Sequence, residues 1–179
     1  MSVLTDTTQL GLPSGTWSLD PVHSAIGFEL PYLAGTFRGQ FKDVDARLTD
    51  EGLTGSARVA SVDVKDENFA AHLQSPEFFD AERHPELSFE SREISRSGGA
   101  LTVRGDITIR GVTRPVELTG TISEPLTDYT GRERVGLELE TTVDRTEFGV
   151  NWNAPLPNGE PALQDEVKLV AELYFVREA

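Results

Sequence analysis

Cysteine is missing from all 179 residues, which rules out disulfides, thiolate nucleophiles and cysteine metal sites, so nothing requires an oxidising compartment. Positive charge is scarce, with 16 basic residues against 30 acidic ones and a formal net charge of −14. Such a surface repels phosphate backbones and anionic lipid over a Debye length, which argues against nucleic acid as a partner. Long apolar runs are also missing, so no segment has the length of a membrane span and no stable membrane insertion is expected. The opening MSVLTDTTQLGLPSG has neither the basic n-region nor the apolar run of a signal peptide. These features predict a soluble, cytoplasmic protein with a flexible polar tail over residues 1–14 and one domain over residues 15–179. No glycine cluster follows a strand and opens a long helix, so phosphate loops and dinucleotide fingerprints are absent.

What the sequence does have is alternation. Leu101, Val103, Gly105, Ile107 and Ile109 share one parity against Thr102, Arg104, Asp106, Thr108 and Arg110, the period of a strand with one dry face. After Gly111-Val112-Thr113-Arg114-Pro115 the pattern resumes with Val116, Leu118 and Ile122, predicting an antiparallel hairpin connected through those five residues. Shorter alternating stretches lie at Gly15 to Leu19, Ser24 to Leu30, Thr36 to Leu48, Leu87 to Ser91, Val135 to Glu140 and Val167 to Val176. From Leu53 to Val64 the parity switches between Val59 and Val62, which places a bulge near Ala60 and Ser61.

One segment changes period. In Asp66 to Gln74, Phe69 and Leu73 are four apart and Asp66 stands where a cap belongs, predicting a short helix. Ser75-Pro76 suits the start of a further single turn. Asp144 to Glu166 is too long for a plain connector and reads as a structured lid or closing loop. Roughly eight strands and one helical insertion result, in a chain long enough to bury about two thirds of its unfolded surface. So many antiparallel strands must hide their edges, by closing into a barrel or by packing as two sheets, and alternation does not choose. Eight strands of nine residues would enclose one small ligand in a bore roughly 20–30 Å long.

Chemical constellations are few. His23, His72 and His84 would offer three imidazoles to a metal if they met at a barrel mouth, but no pair has zinc-motif spacing. Structural roles are expected instead, His23 bonded near the Asp20-Pro21 turn and His84 anchoring the loop before Pro85. Ser24 follows His23, but neighbouring strand residues face opposite sides, so the two do not form a nucleophile and base. Arg110, Arg114 and Arg145 suit either a polar or phosphorylated head group at an opening or ordinary turns.

Several stretches carry a family resemblance: Trp17 to Phe28 (WSLDPVHSAIGF), Phe37 to Phe41 (FRGQF), His72 to Asp80 (HLQSPEFFD), His84 to Phe89 (HPELSF), Gly105 to Val116 (GDITIRGVTRPV) and Arg145 to Gly149 (RTEFG). Together, and in this order, they closely resemble the YceI-like family from about Gly15 to the C-terminus. The resemblance implies an all-β fold, an eight-stranded antiparallel lipocalin-like barrel with a short helical insertion. It also implies an apolar bore that holds an isoprenoid lipid or quinone, in a binding or carrier protein with no catalytic residues, cofactor or metal. On that reading Ile26, Phe28, Val44, Ala46, Phe69, Leu73, Phe78, Phe79, Phe89, Val103, Ile107, Ile109, Val116 and Leu118 line the cavity. The alternative use of the same residues is a filled core. An enzyme working on a hydrophobic substrate in the same pocket, with a histidine-bound metal, is the competing functional class, and the sequence leaves a homodimer open.

Overall fold

The structure, a computed structural model, describes residues 12–178. The alternating segments form strands β1 (Trp17–Leu19), β2 (Ala25–Tyr32), β3 (Gly35–Phe41), β4 (Val44–Thr49), β5 (Gly52–Arg58) and β6 (Val62–Asp63). A helix α1 (Glu67–Gln74) precedes β7 (Glu86–Ser97), β8 (Ala100–Ile109), β9 (Val112–Ile122), β10 (Leu126–Thr127), β11 (Glu133–Asp144) and β12 (Glu166–Arg177).

Neighbouring strands run antiparallel in the ring β11-β9-β8-β7-β5-β4-β1-β12, and the ladder from Arg134↔Val176 to Asp144↔Glu166 returns β12 to β11. This closes an eight-stranded barrel, which removes the edges that alternation alone left exposed. The remaining segments continue members of the ring. β1 and β2 pair in series along β12, Trp17↔Arg177 to Leu19↔Phe175 and then Ala25↔Glu172 to Glu29↔Lys168, so they are one strand broken at Asp20 to Ser24. β3 with β4, and β5 with β6, are broken in the same way. Beyond the break β6 pairs only with β3 among the described residues, and the segment from α1 to Pro85 connects it to β7.

Two local expectations change. The break after β5 is a 3₁₀ turn, Val59–Ser61, rather than a bulge, and the register shift that does occur lies between Ser91 and Glu93 of β7. The β8–β9 hairpin turns through Arg110 and Gly111 alone, at φ 53° and 74°, the geometry of a type I′ turn, and Val112 to Pro115 already pair as strand. Pro115 looked like loop but sits opposite Asp106 in the ladder. Ser75 and Pro76 open the further single turn as expected, Phe78 N–H donating to Ser75 C=O at 3.0 Å and Glu77 N–H to the Ser75 hydroxyl at 3.3 Å. The cap on α1 is as expected, the Asp66 carboxylate accepting from the amides of Asn68 and Phe69 at 2.8 and 3.2 Å.

Inside the barrel two apolar clusters divide the space. At one end Trp17, Leu48, Leu101, Val103, Leu137 and Phe175 are at most 2% exposed and fill the bore. Each such side chain contributes roughly 1.5–3 kcal/mol relative to exposure. Leu12 is buried in the same cluster and the Ser14 carbonyl accepts from the Trp17 indole at 3.2 Å, so the tail expected to be flexible through residue 14 is packed at its last residues. The rest of that expected tail, residues 1–11, lies outside the described residues. Gly105 permits β8 to approach β7, since a Cβ there would stand 2.3 Å from the Glu90 carbonyl oxygen and 2.7 Å from the Phe89 ring. Outside this end, the Arg134 guanidinium bridges Asp20 and Asp128 at 2.9 and 2.6 Å.

Candidate ligand-binding cavity

The second cluster, around Phe28, Phe41, Phe78 and Phe148, surrounds a cavity of about 210 Å³ instead of filling the bore. Period two carries much of the wall: lining side chains of β2, β3 and β8 fall at alternate positions, with Glu29, Arg38 and Asp106 on the outward parity, while β5 lines the cavity continuously from Leu53 to Ala57. Ile26, Phe28, Leu30 and Tyr32 come from β2, Phe37 and Phe41 from β3, and Ile107 and Ile109 from β8. Leu118 of β9, Leu139 of β11 and Val167, Leu169 and Ala171 of β12 complete the wall, with Leu169 and Ala171 beside Phe28 and Ile26 in the ladder, while Ala46, Leu53 and Leu173 of the filled end make the floor.

Aromatic rings tie the helical insertion to the barrel. Phe28, Phe41 and Phe79 form a triangle with centroids 5.8–6.2 Å apart, and Phe37 meets Phe69 of α1 at 5.8 Å. His72 stands on the wall with its ring edge-on to Phe78, centroids 4.8 Å apart. α1 and the turn after it thus line the cavity where β6 has no ladder to β7.

The loop from Asp144 to Glu166 covers the cavity, as its length led one to expect. Its organiser is Arg145, which is 6% exposed. Nε donates to the Gln164 carbonyl at 2.9 Å, and Nη1 donates to the carbonyls of Val150 and Trp152 at 2.7 and 2.8 Å. One guanidinium therefore pins both arms of the loop. Burial pushes its pKa down, and the charges of Asp165 and Asp144 oppose that shift. From the β8–β9 hairpin, Arg110 donates to the Gly149 carbonyl at 2.6 Å and Arg114 to that of Glu147 at 3.4 Å. Asn153 clasps the returning arm, donating to the Leu163 carbonyl at 2.7 Å and accepting its amide at 2.9 Å, and Leu163 bridges to Tyr32 of β2. The loop so held presents Phe148, Val150, Trp152 and Leu163 to the cavity.

Ile26, Phe28, Ala46, Phe69, Leu73, Phe78, Phe79, Phe89, Ile107, Ile109 and Leu118 all reach the cavity wall. Val44, Val103 and Val116 do not. Val103 is wholly enclosed in the filled end, Val44 is buried in the second cluster behind the wall, and Val116 is half-buried on β9. The expected full-length bore is thus shortened, because large side chains occupy one end of it. Leu30 and Tyr32 were missed although the alternation through Ile26 and Phe28 runs on to them, and so were Phe37 and Phe41, which share a parity on β3. Phe148, Val150 and Trp152 alternate with Gly149, Asn151 and Asn153, a short period-two signal that three residues alone do not distinguish from loop, and nothing periodic marks Leu163.

His23, His72 and His84 have separate settings. His23 Nδ1 lies 2.7 Å from Asp20, His72 lines the cavity, and His84 packs against Gly111, where an added Cβ would stand 2.6 Å from its ring. Among the described residues no group of three histidine, aspartate or glutamate side chains is placed to hold a metal ion. Nor is any helix among them long and apolar enough to cross a membrane. Arg110 and Arg114 are anchored to the closing loop, which leaves Arg145 as the arginine on the cavity wall.

Comparison with known proteins places this geometry. The model of the YceI-like domain matches residues 17–175. A UPF0312 protein of Staphylococcus epidermidis is 30% identical over 171 residues, covering 89% of this chain and 96% of the relative. A UPF0312 protein of Serratia proteamaculans is 32% identical over 163 residues, covering 87% and 82%. Among solved structures, BcnA of Burkholderia cenocepacia superposes with a TM-score of 0.73 at 20% identity, over 87% of this chain and 98% of that one. A polyisoprenoid binding domain from Saccharophagus degradans, implicated in plant cell wall breakdown, gives 0.69 at 10% identity over 90% and 98%. At these identities the two structures share the fold with this chain.

Proposed function

Because the chain belongs to the YceI-like family, we propose that it is a binding protein which takes the tail of an isoprenoid amphiphile, a polyprenyl compound or an isoprenoid quinone, into the barrel cavity without chemical turnover. The observation that carries this reading is the cavity itself, a space of about 210 Å³ with an almost wholly hydrocarbon and aromatic wall, floored by a packed core and covered by a pinned loop. Its volume lies below the roughly 300–1,000 Å³ of ordinary small-molecule pockets, which favours a thin chain over a bulky ring system. Each Å² of tail surface moved out of water contributes about 25 cal/mol, offset by the ordering of the chain and the loss of its free motion. The likeness to a polyisoprenoid binding domain supports the choice of guest.

The test is native mass spectrometry and solvent extraction of the protein purified without detergent, together with titration by farnesol and by a prenyl quinone. Retention of a prenyl compound, or saturable binding that is lost in Ala171→Leu, where the added side chain enters the cavity from β12, is the expected result. Empty extracts and no binding of either probe would overturn it.

A further inference from the structure

Three stretches of the chain carry no Asp, Glu, Lys or Arg although 26% of its residues are charged: Leu30 to Phe37 at the β2–β3 tip, Asn68 to Pro76 on α1 and the turn after it, and Phe148 to Gly159 in the closing loop. The fold joins all three into one circuit. Tyr32 meets Phe37 at 6.4 Å and Phe37 meets Phe69 at 5.8 Å, His72 meets Trp152 at 4.8 Å, and Leu163, on the returning arm of the loop, bridges back to Tyr32. Each of these residues also lines the cavity, so the circuit is the rim of its mouth. The charges that flank the three stretches in sequence are Glu29, Glu67, Glu77, Glu147, Glu160 and Arg38, and the arginine is paired with Glu29 at 3.2 Å. An uncharged rim thus sits inside an acidic collar. Two large apolar side chains of the rim project into solvent, Leu33 at 60% exposed and Phe69 at 44%. Leu33 closes the two-residue β2–β3 turn at φ 53°, left-handed backbone that glycine or asparagine adopts readily and leucine rarely does. It packs in neither apolar cluster and does not line the cavity, so folding gives no reason for an apolar residue there.

We propose that this rim is the face the protein lays on a bilayer of neutral, zwitterionic lipid, with Leu33 and Phe69 entering the headgroup layer and the cavity mouth turned toward the acyl chains. This rests on the binding reading above and adds to it the surface through which the guest is exchanged. The place of the mouth inside the rim argues for lipid as the occupant, because a protein seated there would stopper the cavity, whereas a bilayer is the phase in which a long apolar tail resides. The acidic collar and the net charge of −14 select neutral lipid over anionic lipid, which they repel. Burial of the exposed apolar side chains at the interface supplies the attraction, and two such side chains give a weak, reversible contact.

The probe is a vesicle of dioleoylphosphatidylcholine without guest, read by flotation and by tryptophan quenching with brominated phosphatidylcholine. Of the two tryptophans, Trp152 stands on the rim and Trp17 is buried at the filled end, so wild type should be quenched and Trp152→Phe should not. Leu33→Asn suits φ 53° and leaves the cavity wall intact. It should weaken vesicle binding roughly tenfold, the worth of burying most of one leucine side chain, while farnesol supplied from solution binds as before. Leu126→Asn, which removes a leucine 73% exposed at the filled end of the barrel, should change neither. Replacing one third of the lipid with phosphatidylglycerol should weaken binding at low salt. Wild type that binds farnesol but not neutral vesicles, a Leu33→Asn variant that binds them as well as wild type, an equal loss in Leu126→Asn, or tighter binding to the anionic vesicles would overturn this proposal and leave tail binding standing. A lipid-free dimer that Leu33→Asn dissociates would assign the rim to a second copy and overturn it too. Failure of wild type to bind farnesol would overturn the reading beneath it as well.

Discussion

The rings of His72 and Trp152 meet edge to face with centroids 4.8 Å apart and planes at 84°, joining helix α1 to the loop that covers the cavity. Phe78 completes the contact, 5.5 Å from Trp152. An aromatic pair of this kind contributes about 0.5–1.5 kcal/mol beyond the area it buries. Trp152→Ala should therefore speed release of bound farnesol by about two- to tenfold, measured by stopped-flow displacement, with the melting temperature much less affected.

Stability and binding should separate along the barrel. Leu137 is wholly buried in the filled end and does not touch the cavity, so Leu137→Ala should cost about 2–5 kcal/mol in urea unfolding and leave farnesol affinity unchanged. Phe79→Ala, which opens the wall, should change affinity at a smaller cost in stability because that ring is less completely buried.

Gly105→Ala should destabilise the β7–β8 pairing by about 1–3 kcal/mol, because the new methyl would meet not only the Phe89 ring but also backbone that cannot step aside, the Glu90 carbonyl oxygen and the Ser91 Cα. Hydrogen exchange at the amides of Glu90 to Glu93 would report the loosened ladder.

Acid should weaken the fold through Asp20. The hydrogen bond from His23, then that from Arg134, holds its carboxyl down at about 2 against an ordinary value of 3.8, while burial opposes the shift. A carboxylate depressed in the folded state adds stability above its unfolded pKa and loses it as pH falls through the folded one. The contribution is thus fully present above about pH 5 and disappears toward pH 2. Melting curves of Asp20→Asn should show a shallower fall over that range than wild type, and parallel curves would count against the assignment.

Much of this was legible in the residues. Leu101 to Ile109 declared a strand with one dry face, Asp66 declared a helix start, and the unusual length of Asp144 to Glu166 declared a cover. Closure into eight strands came from the family resemblance and holds, whereas alternation did not reveal it, because closure depends on Arg134 to Asp144 meeting Glu166 to Val176 and parity says nothing about which strand meets which. The five-residue hairpin connection expected from the interrupted alternation is too long, since Arg110 tolerates positive φ beside Gly111 and completes the turn in two residues. Val103 was placed on the cavity because it shares a face with Ile107 and Ile109. A shared face fixes direction but not depth, and at the depth of Val103 the indole of Trp17 and the ring of Phe175 have taken the room.

Four members of the ring, β7, β8, β11 and β12, run as single strands, while β1 with β2, β3 with β4, β5 with β6, and β9 with the short β10 are jointed. Three of the joints are neighbours, so the molecule is stiffer on one flank and more articulated on the other. A vessel built in that way breathes by flexing its jointed staves, and a guest would slip in beside α1 without the long ladders parting. Slow amide exchange along the β11–β12 seam, against quick exchange in β2, β3 and β6, is the signature of that asymmetry.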